Sequence, residues 1–485
     1  MMYRFDKKTK IVATIGPASE TYEKLLELVD AGMNVMRVNF SHGDYPTHLK
    51  KFEMAKRLEK EKGIYIPVML DSRGPEIRVG MFENDSALIK QDSIVRVSMK
   101  PVLGNASIFS VSYADLYEDV KVGDQLRIDD GNLALLIVEK DRIQHQLVCK
   151  ALNTHTIKNR KGLNAPFARL SMPFISAQDE ADFKFGCEHD VNYIAASFTR
   201  RKQDVLDIRA ILEKYGKPNI QIIAKIENPE GVSNLEEILE AADGIMVARG
   251  DLGVEIAAEQ VPIVQKRIVS MCRQVGKPVI TATQMLDSMV NMPRPTRAEV
   301  SDVANAILES SDAVMLSAES ASGKYPVESV NMQAKIAQTM EKELDYLKMS
   351  NQAYESSKKI NSDAIANSVA NTALLINAQA IITFTETGGA ARRISKARPS
   401  CPIFAISDRR ETVLSLGLVW GVYAFYAKTL PQFIEDMEAF AILKARQIGL
   451  KPGANILLTG GVPTGVGSTN FMKILTLKDI KEESL

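Results

Sequence analysis

A chain of 485 residues exceeds what one hydrophobic core usually organises, so about two to four domains are expected. Hydrophobic residues make up 45% and charged residues 25%, the composition of an ordinary folded protein rather than a disordered or fibrous one. Lys plus Arg total 60 and Asp plus Glu total 60, a balance that argues against a general nucleic-acid or membrane-surface binder and leaves room only for a local basic pocket.

The opening segment MMYRFDKKTK carries charge with no apolar stretch behind it, so no signal peptide is expected. No apolar run approaches the ~18 residues of a membrane span, and a soluble, cytoplasmic protein is the simplest expectation. The four cysteines, Cys149, Cys187, Cys272 and Cys401, stand far apart with no CxxC pair. They read as buried structural thiols rather than a disulfide framework or zinc site.

Along the chain, short β-branched apolar runs end in polar residues and are followed by stretches of helical periodicity. The first three runs are IVATI (11–15), NVMRVNF (34–40) and YIPVMLD (65–71), with starts 23 and 31 residues apart. A helix is expected over 20–32, closed by Gly32. The spacing then jumps by 128 residues, from 65 to 193, roughly 100 more than a strand–helix unit needs. A domain is therefore inserted after the third strand. Its runs SIVRVSMK (93–100), QLRIDD (125–130) and LALLIVE (133–139) are β-rich, with Asp130-Gly131 at a hairpin turn. The segment NRKGLNAPFARLSMP (159–173) suits a hinge back to the main body, and a domain hung there makes a natural lid.

The rhythm resumes with YIAASF (193–198), IQIIAKIE (220–227), GIMVARGD (244–251), PVITATQM (278–285) and AVMLSAE (313–319). One helix is expected over 229–243, with Leu235, Ile238 and Leu239 on its apolar face. Eight units of this kind favour a (β/α)8 TIM barrel over a doubly wound open sheet. Beyond it, KMSNQAYESSKKINS (348–362) reads as a linker. AIITFT (380–385), PIFAIS (402–407), VYAFYAK (422–428), NILLTGG (455–461) and MKILTL (472–477) then give a C-terminal α/β domain with a largely parallel sheet. The expected boundaries are 1–72 and 174–345 for the barrel, 73–173 for the lid and 350–485 for the C-terminal domain.

Polar groups crowd the C-terminal ends of these strands, where a barrel places its chemistry. Glu227 and Asp251, from adjacent strands, suit a Mg2+ or Mn2+ site, against the alternative that each pairs with a nearby Arg or Lys; the number of polar partners favours metal. Lys225 shares a face with Glu227. Stabilisation of a transferring phosphoryl group, a Schiff base and an ion pair to Glu227 are all open to it. Arg37 is either a fork for phosphate or the partner of Asp71. Gly250 lets backbone approach an anion closely, and a short helix starting there would offer its N–H groups to a carboxylate or phosphate. Asn39, Ser41, Asp71 and Ser72 form an oxygen-only set that suits a monovalent cation or a hydrogen-bonded network.

At this point the segments KIVATIGPAS (10–19), NVMRVNFSHG (34–43), LDSRGPEIRVG (70–80), KGLNAP (161–166), IAKIEN (223–228), MVARGDLGVEI (246–256), TATQMLDSM (281–289) and the long run beginning MPRPTRAEVSDVANA (292–306) resemble the pyruvate kinase family, in its order and across the whole barrel. The resemblance implies transfer of a phosphoryl group from phosphoenolpyruvate to ADP, followed by protonation of the enolate. It assigns Arg37 and Lys225 to the moving phosphoryl group, Glu227 and Asp251 to Mg2+, and Asn39, Ser41, Asp71 and Ser72 to K+. It assigns Gly250, Asp251 and Thr283 to the substrate carboxylate, a water chain near Thr283 to the final proton, and Asn39, His42, Arg78 and Lys161 to the nucleotide side. Glu76 matches members that require K+. TETGGAARRISK (385–396) resembles the family's effector-phosphate loop, with Thr385, Thr387, Gly388 and Gly389 as the candidate contacts. Ala390 and Ala391 stand where members using a sugar bisphosphate often carry polar groups, which weakens the case for a bisphosphate and leaves a monophosphorylated effector, no effector, or an ordinary strand-to-helix turn open. A homotetramer is the family's common assembly. The rivals are a Mg2+-dependent lyase or mutase acting on an enolate, which would not need Arg78, Lys161 or a lid, and a silent phosphate-sensing barrel, which would be expected to lack Lys225, Glu227 or Asp251.

Overall fold

The computed structural model describes residues 5–166, 168–462 and 469–478. Eight parallel strands close into a barrel in chain order: Lys10–Thr14, Val35–Asn39, Val68–Asp71, Tyr193–Ala196, Gln221–Ile226, Gly244–Ala248, Val279–Ala282 and Ala313–Leu316. The last pairs with the first in register Lys10↔Ala313. Every strand is buried on both faces, which explains their unbroken apolar sequences. Inward residues such as Val12, Met69, Ile223, Met246 and Ile280 fill the barrel, while Ile11, Leu70, Ile222 and Ile245 pack outward under the helices.

The first barrel helix, Tyr22–Ala31, illustrates the local logic. Thr21 caps it by accepting the Lys24 N–H, its Leu25, Leu28 and Val29 face the core, and Gly32 at φ 122° ends it. The single helix expected over 229–243 is instead two, Pro229–Ser233 and Leu235–Ala241. Asn234 between them keeps the chain turning without continuing the helix, and its side chain donates to the Arg200 carbonyl.

After the third strand comes a seven-stranded sheet ordered Ile77–Arg78, Gly162–Asn164, Gln125–Ile128, Leu133–Asp141, Gln146–Ala151, Ile94–Ser98, Ile108–Ser110. The hairpin at 129–131 turns through three left-handed residues, Asp129, Asp130 and Gly131, as its Asp-Gly sequence implies. The segment expected to be a hinge is partly strand: Gly162–Asn164 pairs with both Arg78 and Ile128, because this stretch closes the sheet before returning to the barrel. Phe167 within it lies outside the described residues.

The segment 348–362, expected to be a linker, is largely helical. Tyr346–Glu355 is capped by Asp345, and Asn361–Leu375 begins six residues later. Met349, Ser350 and Ala353 give the first helix a narrow buried face, small and partly polar, which a search for bulky apolar periodicity passes over. The C-terminal domain has four parallel strands, Val422–Tyr426, Ile403–Ser407, Ala380–Phe384 and Asn455–Gly461, with Thr469–Thr476 antiparallel at the edge. It plugs the underside of the barrel: Leu418 sits among the inward barrel residues, and the Tyr193 hydroxyl donates to the Ser415 carbonyl. All four cysteines are free and buried, and burial pushes the Cys149 and Cys401 thiols up to about 12. Among the described residues no helix is long and apolar enough to cross a membrane.

Candidate active site

Alternation along each strand decides which side chains reach the barrel mouth. Arg37, two residues before the end of its strand, and Asp71, at the end of the next, meet there: Arg37 Nε donates to Asp71 Oδ2 at 2.6 Å, and its Nη1 donates to Thr14 Oγ1 at 2.7 Å. Lys225 Nζ donates to Asp71 Oδ1 at 3.1 Å and to Ser197 Oγ at 2.7 Å, and lies 3.0 Å from Glu227 Oε1. Ser197 Oγ also reaches the Ser72 carbonyl at 2.7 Å. Arg37, Asp71, Lys225 and Glu227 are all buried, so this is a compact charged network in low dielectric rather than a set of surface pairs.

Burial alone would raise the Asp71 pKa, but the Arg37 and Lys225 charges overcome it and hold the carboxyl below its usual range. Burial opposes the Lys225 charge too, yet the carboxylates of Asp71, Glu227 and Asp251 keep the ammonium protonated well past its normal pKa. An ammonium held in this way suits charge stabilisation of a phosphoryl group better than Schiff-base chemistry, which needs the neutral amine. Glu227 behaves differently. Burial pushes its carboxyl up to about 8, Lys225 pulls it back and Asp251 adds a further upward push. Its Oε2 accepts the Phe198 N–H at 2.5 Å, whereas Oε1, although 3.0 Å from Lys225 Nζ, has no hydrogen-bond donor in line. A buried oxygen with an ammonium beside it but no hydrogen bond, within range of the Asp251 charge, leaves acceptor capacity unused, and the two carboxylates fit a divalent metal completed by substrate oxygens and water. Among the described residues no group of three or more His, Cys, Asp or Glu forms an all-protein metal cage.

Part of the oxygen-only set is brought together. Asn39 lies beside Asp71 in register, Asn39 Oδ1 accepts the Ser41 N–H at 3.0 Å, and Ser72 Oγ accepts the Ser197 N–H at 3.1 Å. Asp71 is already balanced by two cations, so the set offers mostly neutral oxygen, the donor chemistry of a monovalent ion rather than Mg2+.

Arg249, Gly250 and Asp251 lie just past the strand end, and the short helix considered at this point forms. It runs over Arg249–Glu255, because the strand stops at Ala248. The Gly250 N–H is engaged by Thr283 Oγ1 at 2.6 Å. Thr283 and Gln284 are both left-handed, at φ 68° and 54°, which costs a β-branched residue on the order of 1–3 kcal/mol. Arg249 holds that turn. Its Nη2 donates to the Thr283 carbonyl at 2.8 Å and its Nε to the Ala282 carbonyl at 3.2 Å, while two nitrogens grip Asp302 at 2.7 Å each. Asp302→Asn is expected to lower kcat about tenfold by loosening this turn, with little change in KM for ADP. Unchanged steady-state constants would mean that the turn holds without the pair.

A cavity of about 750 Å3 runs from the barrel mouth to the inserted domain, lined by His42, Glu76, Arg78, Lys161 and Asp251 among others. Of the strand-end site residues, Asp251 shares this space with the lid cations. Arg78 is held by Glu76 at 2.7 Å and donates to the Arg160 carbonyl at 2.9 Å. Lys161 pairs with Asp129 at 2.7 Å, and His155 contacts the same carboxylate at 2.8 Å. The inserted domain touches the barrel through Asn164, which donates to Glu255 Oε1 at 2.6 Å, and Arg127, which donates to the Val254 carbonyl. Sequence reasoning missed Ser197, although the strand-end rule applied to the fourth strand points to it. It also missed Asp129, whose left-handed turn position is the only local signal.

The loop Thr385–Gly389 lies in the C-terminal domain, apart from this cavity. Thr385 Oγ1 accepts the Gly388 N–H at 3.0 Å, Gly388 is left-handed at φ 83°, and the helix Gly389–Lys396 starts there. Ala390 and Ala391 are buried, so they pack inward rather than facing a ligand.

A family model for the pyruvate kinase barrel domain matches residues 6–330, and one for the pyruvate kinase alpha/beta domain matches residues 363–475. The pyruvate kinase of Geobacillus stearothermophilus is 46% identical over 475 residues, spanning 98% of this chain and 81% of that one. That of Bacillus licheniformis is also 46% identical, with the same coverage. The crystal structure of a pyruvate kinase from Cryptosporidium parvum matches with a TM-score of 0.91 at 38% identity, covering 97% of this chain and 96% of that chain. A closed eight-stranded barrel with an inserted β domain, a charged strand-end site and an α/β domain beneath, matched over nearly its whole length by these relatives, makes this chain a phosphotransferase of the pyruvate kinase family.

Proposed function

We propose that the chain transfers the phosphoryl group of phosphoenolpyruvate to ADP, yielding ATP and pyruvate as the closing step of glycolysis in the cytoplasm, with Mg2+ (or Mn2+) and K+ and as a homotetramer. The observation that carries this reading is the buried Arg37–Asp71–Lys225–Glu227 network at the strand ends together with a cavity that Asp251 lines alongside the lid cations Arg78 and Lys161. A lyase or mutase acting on an enolate has no use for the second half of that cavity.

In this reading Asp71 fixes Arg37 and Lys225 so that their spare donors point at the moving phosphoryl group, supplying preorganised positive charge without reorganisation. Glu227 and Asp251 hold Mg2+, which when bound neutralises the charge developing on the phosphoryl oxygens. Gly250, Asp251 and the Thr283 hydroxyl receive the substrate carboxylate, and the Thr283 Oγ1 contact with the Gly250 N–H preshapes that end. Asn39, Ser41, Asp71 and Ser72 hold K+. Arg78 and Lys161, with His42 and Asn39, take the nucleotide phosphates, Arg78 and Lys161 exchanging Glu76 and Asp129 for phosphate oxygens. The loop with Thr385, Thr387, Gly388 and Gly389 receives the phosphate of a small-molecule effector.

Phosphorus NMR of phosphoenolpyruvate, ADP, Mg2+ and K+ with the protein tests this. Growth of the ATP γ-phosphate signal is expected, and its absence with phosphoenolpyruvate consumed would favour the lyase. Glu76→Lys is expected to reduce the K+ requirement, because a tethered ammonium substitutes for the ion. Superimposable K+ activation curves for the variant and the parent chain would count against that.

A further inference from the structure

Far from the strand-end site, the underside of the barrel meets the C-terminal domain along a seam rich in cations. Arg273 and Lys277 from the barrel and Arg392, Lys396 and Arg398 from the C-terminal domain line one small cavity there, and Asp312 is the only carboxylate among its lining residues. Arg398 is 2% exposed. It spends one Nη on Asp312 at 3.0 Å and the other on the Ser310 carbonyl at 3.0 Å, and its Nε has no partner.

The other four cations have only neutral partners. Arg273 donates to Gln352 Oε1, Lys277 to the Leu239, Glu240 and Ala242 carbonyls, Arg392 to the Ser415 carbonyl and Lys396 to the Ser356 carbonyl. The acids next to them are engaged elsewhere: Asp243 with Arg209 at 2.5 Å and Asp363 with Arg393 at 3.2 Å. Five cations therefore line one space with a single carboxylate, while Asp243, Glu240 and Asp363 reach Lys277, Arg392 and Lys396 only through charge at longer range, an arrangement in which each positive charge raises the cost of the others. Burial lowers the pKa of Arg273, Lys277, Arg392 and Lys396, consistent with neutral partners that do not compensate for lost water.

We infer that this cavity binds a single monatomic anion of the halide class, chloride in an ordinary cell, which ties the barrel to the C-terminal domain. Size selects the class. The cavity is about 10 Å3, room for roughly one water-sized sphere, too small for phosphate or a carboxylate. Charge selects an anion over water, because the surplus of positive charge around the space favours a negative ion, and a halide accepts from the donors left over, the unpartnered Arg398 Nε among them.

The test uses the full-length protein. Crystals soaked in sodium bromide are expected to show an anomalous peak in the cavity. In parallel, thermal melting is followed while potassium gluconate is replaced by potassium chloride at constant potassium and ionic strength. Melting is expected to rise by roughly 2–4 °C across the titration in the parent chain. In Lys396→Gln, which keeps the Arg398–Asp312 pair, the rise should fall by at least half. Arg398→Gln should abolish it if the variant folds, and Lys396→Gln decides the matter if it does not. No bromide peak with equal melting in both salts would overturn the inference. So would a peak seen only in the soak while melting ignores chloride, which is an adventitious ion only.

Discussion

Lys225→Met is expected to cut phosphoryl transfer by roughly 10³-fold or more while leaving the fold and the metal site in place. The fold survives because the neighbours have other means of compensation: Asp71 keeps Arg37 and Ser197, and Glu227 can hold its proton. Metal affinity should hold or tighten, since an ammonium 3.0 Å from a ligand oxygen opposes a divalent cation. Steady-state assays with Mn2+ binding by electron paramagnetic resonance separate the two effects. A variant that loses Mn2+ affinity in step with activity would show that Lys225 organises the carboxylates rather than the reacting phosphate.

Glu227→Gln is expected to do the reverse, weakening Mn2+ binding by roughly a hundredfold or more and taking activity with it. The parent chain should reveal the same carboxyl through pH. Its pKa of about 8 in the metal-free fold means that a proton must leave before the metal binds. Apparent Mn2+ affinity should therefore fall about tenfold per pH unit below pH 8 and level off above it. The raised folded pKa also fixes the sign for stability. The metal-free fold gains most below the ordinary Glu pKa of 4.5 and loses that gain as pH rises through about 8, where metal should restore it. In Glu227→Gln both dependences should disappear. Binding that ignores pH between 6 and 8 in the parent chain would place the metal on other ligands.

The strands of this barrel were legible because each is buried on both faces and must read as an uninterrupted apolar run, and the polar residues that follow then mark the mouth. The same signal located Arg37, Asp71, Lys225 and Glu227. It could not say that Arg37 spends one nitrogen on Asp71, since that depends on strand register. Asn234 hid a helix break because asparagine is tolerated within helices as well as between them. The helix Tyr346–Glu355 was obscured by a buried face of methionine, serine and alanine. Arg249–Asp251 continue the run of their strand in sequence, so a helix starting there could be raised as an option but its first residue, Arg249, is set by where the strand stops at Ala248. The pairing of Lys161 with Asp129 joins residues that flank two neighbouring strands of the inserted sheet, which local sequence cannot foretell.

The central claim is that Glu227 and Asp251 hold a divalent ion next to the phosphate gripped by Arg37 and Lys225. Relaxation of the phosphoenolpyruvate phosphorus nucleus in the Mn2+ complex measures that proximity directly. Strong enhancement is expected in the parent chain and in Lys225→Met, and its loss in Glu227→Gln. A parent complex that binds both Mn2+ and phosphoenolpyruvate without enhancing phosphorus relaxation would contradict the account.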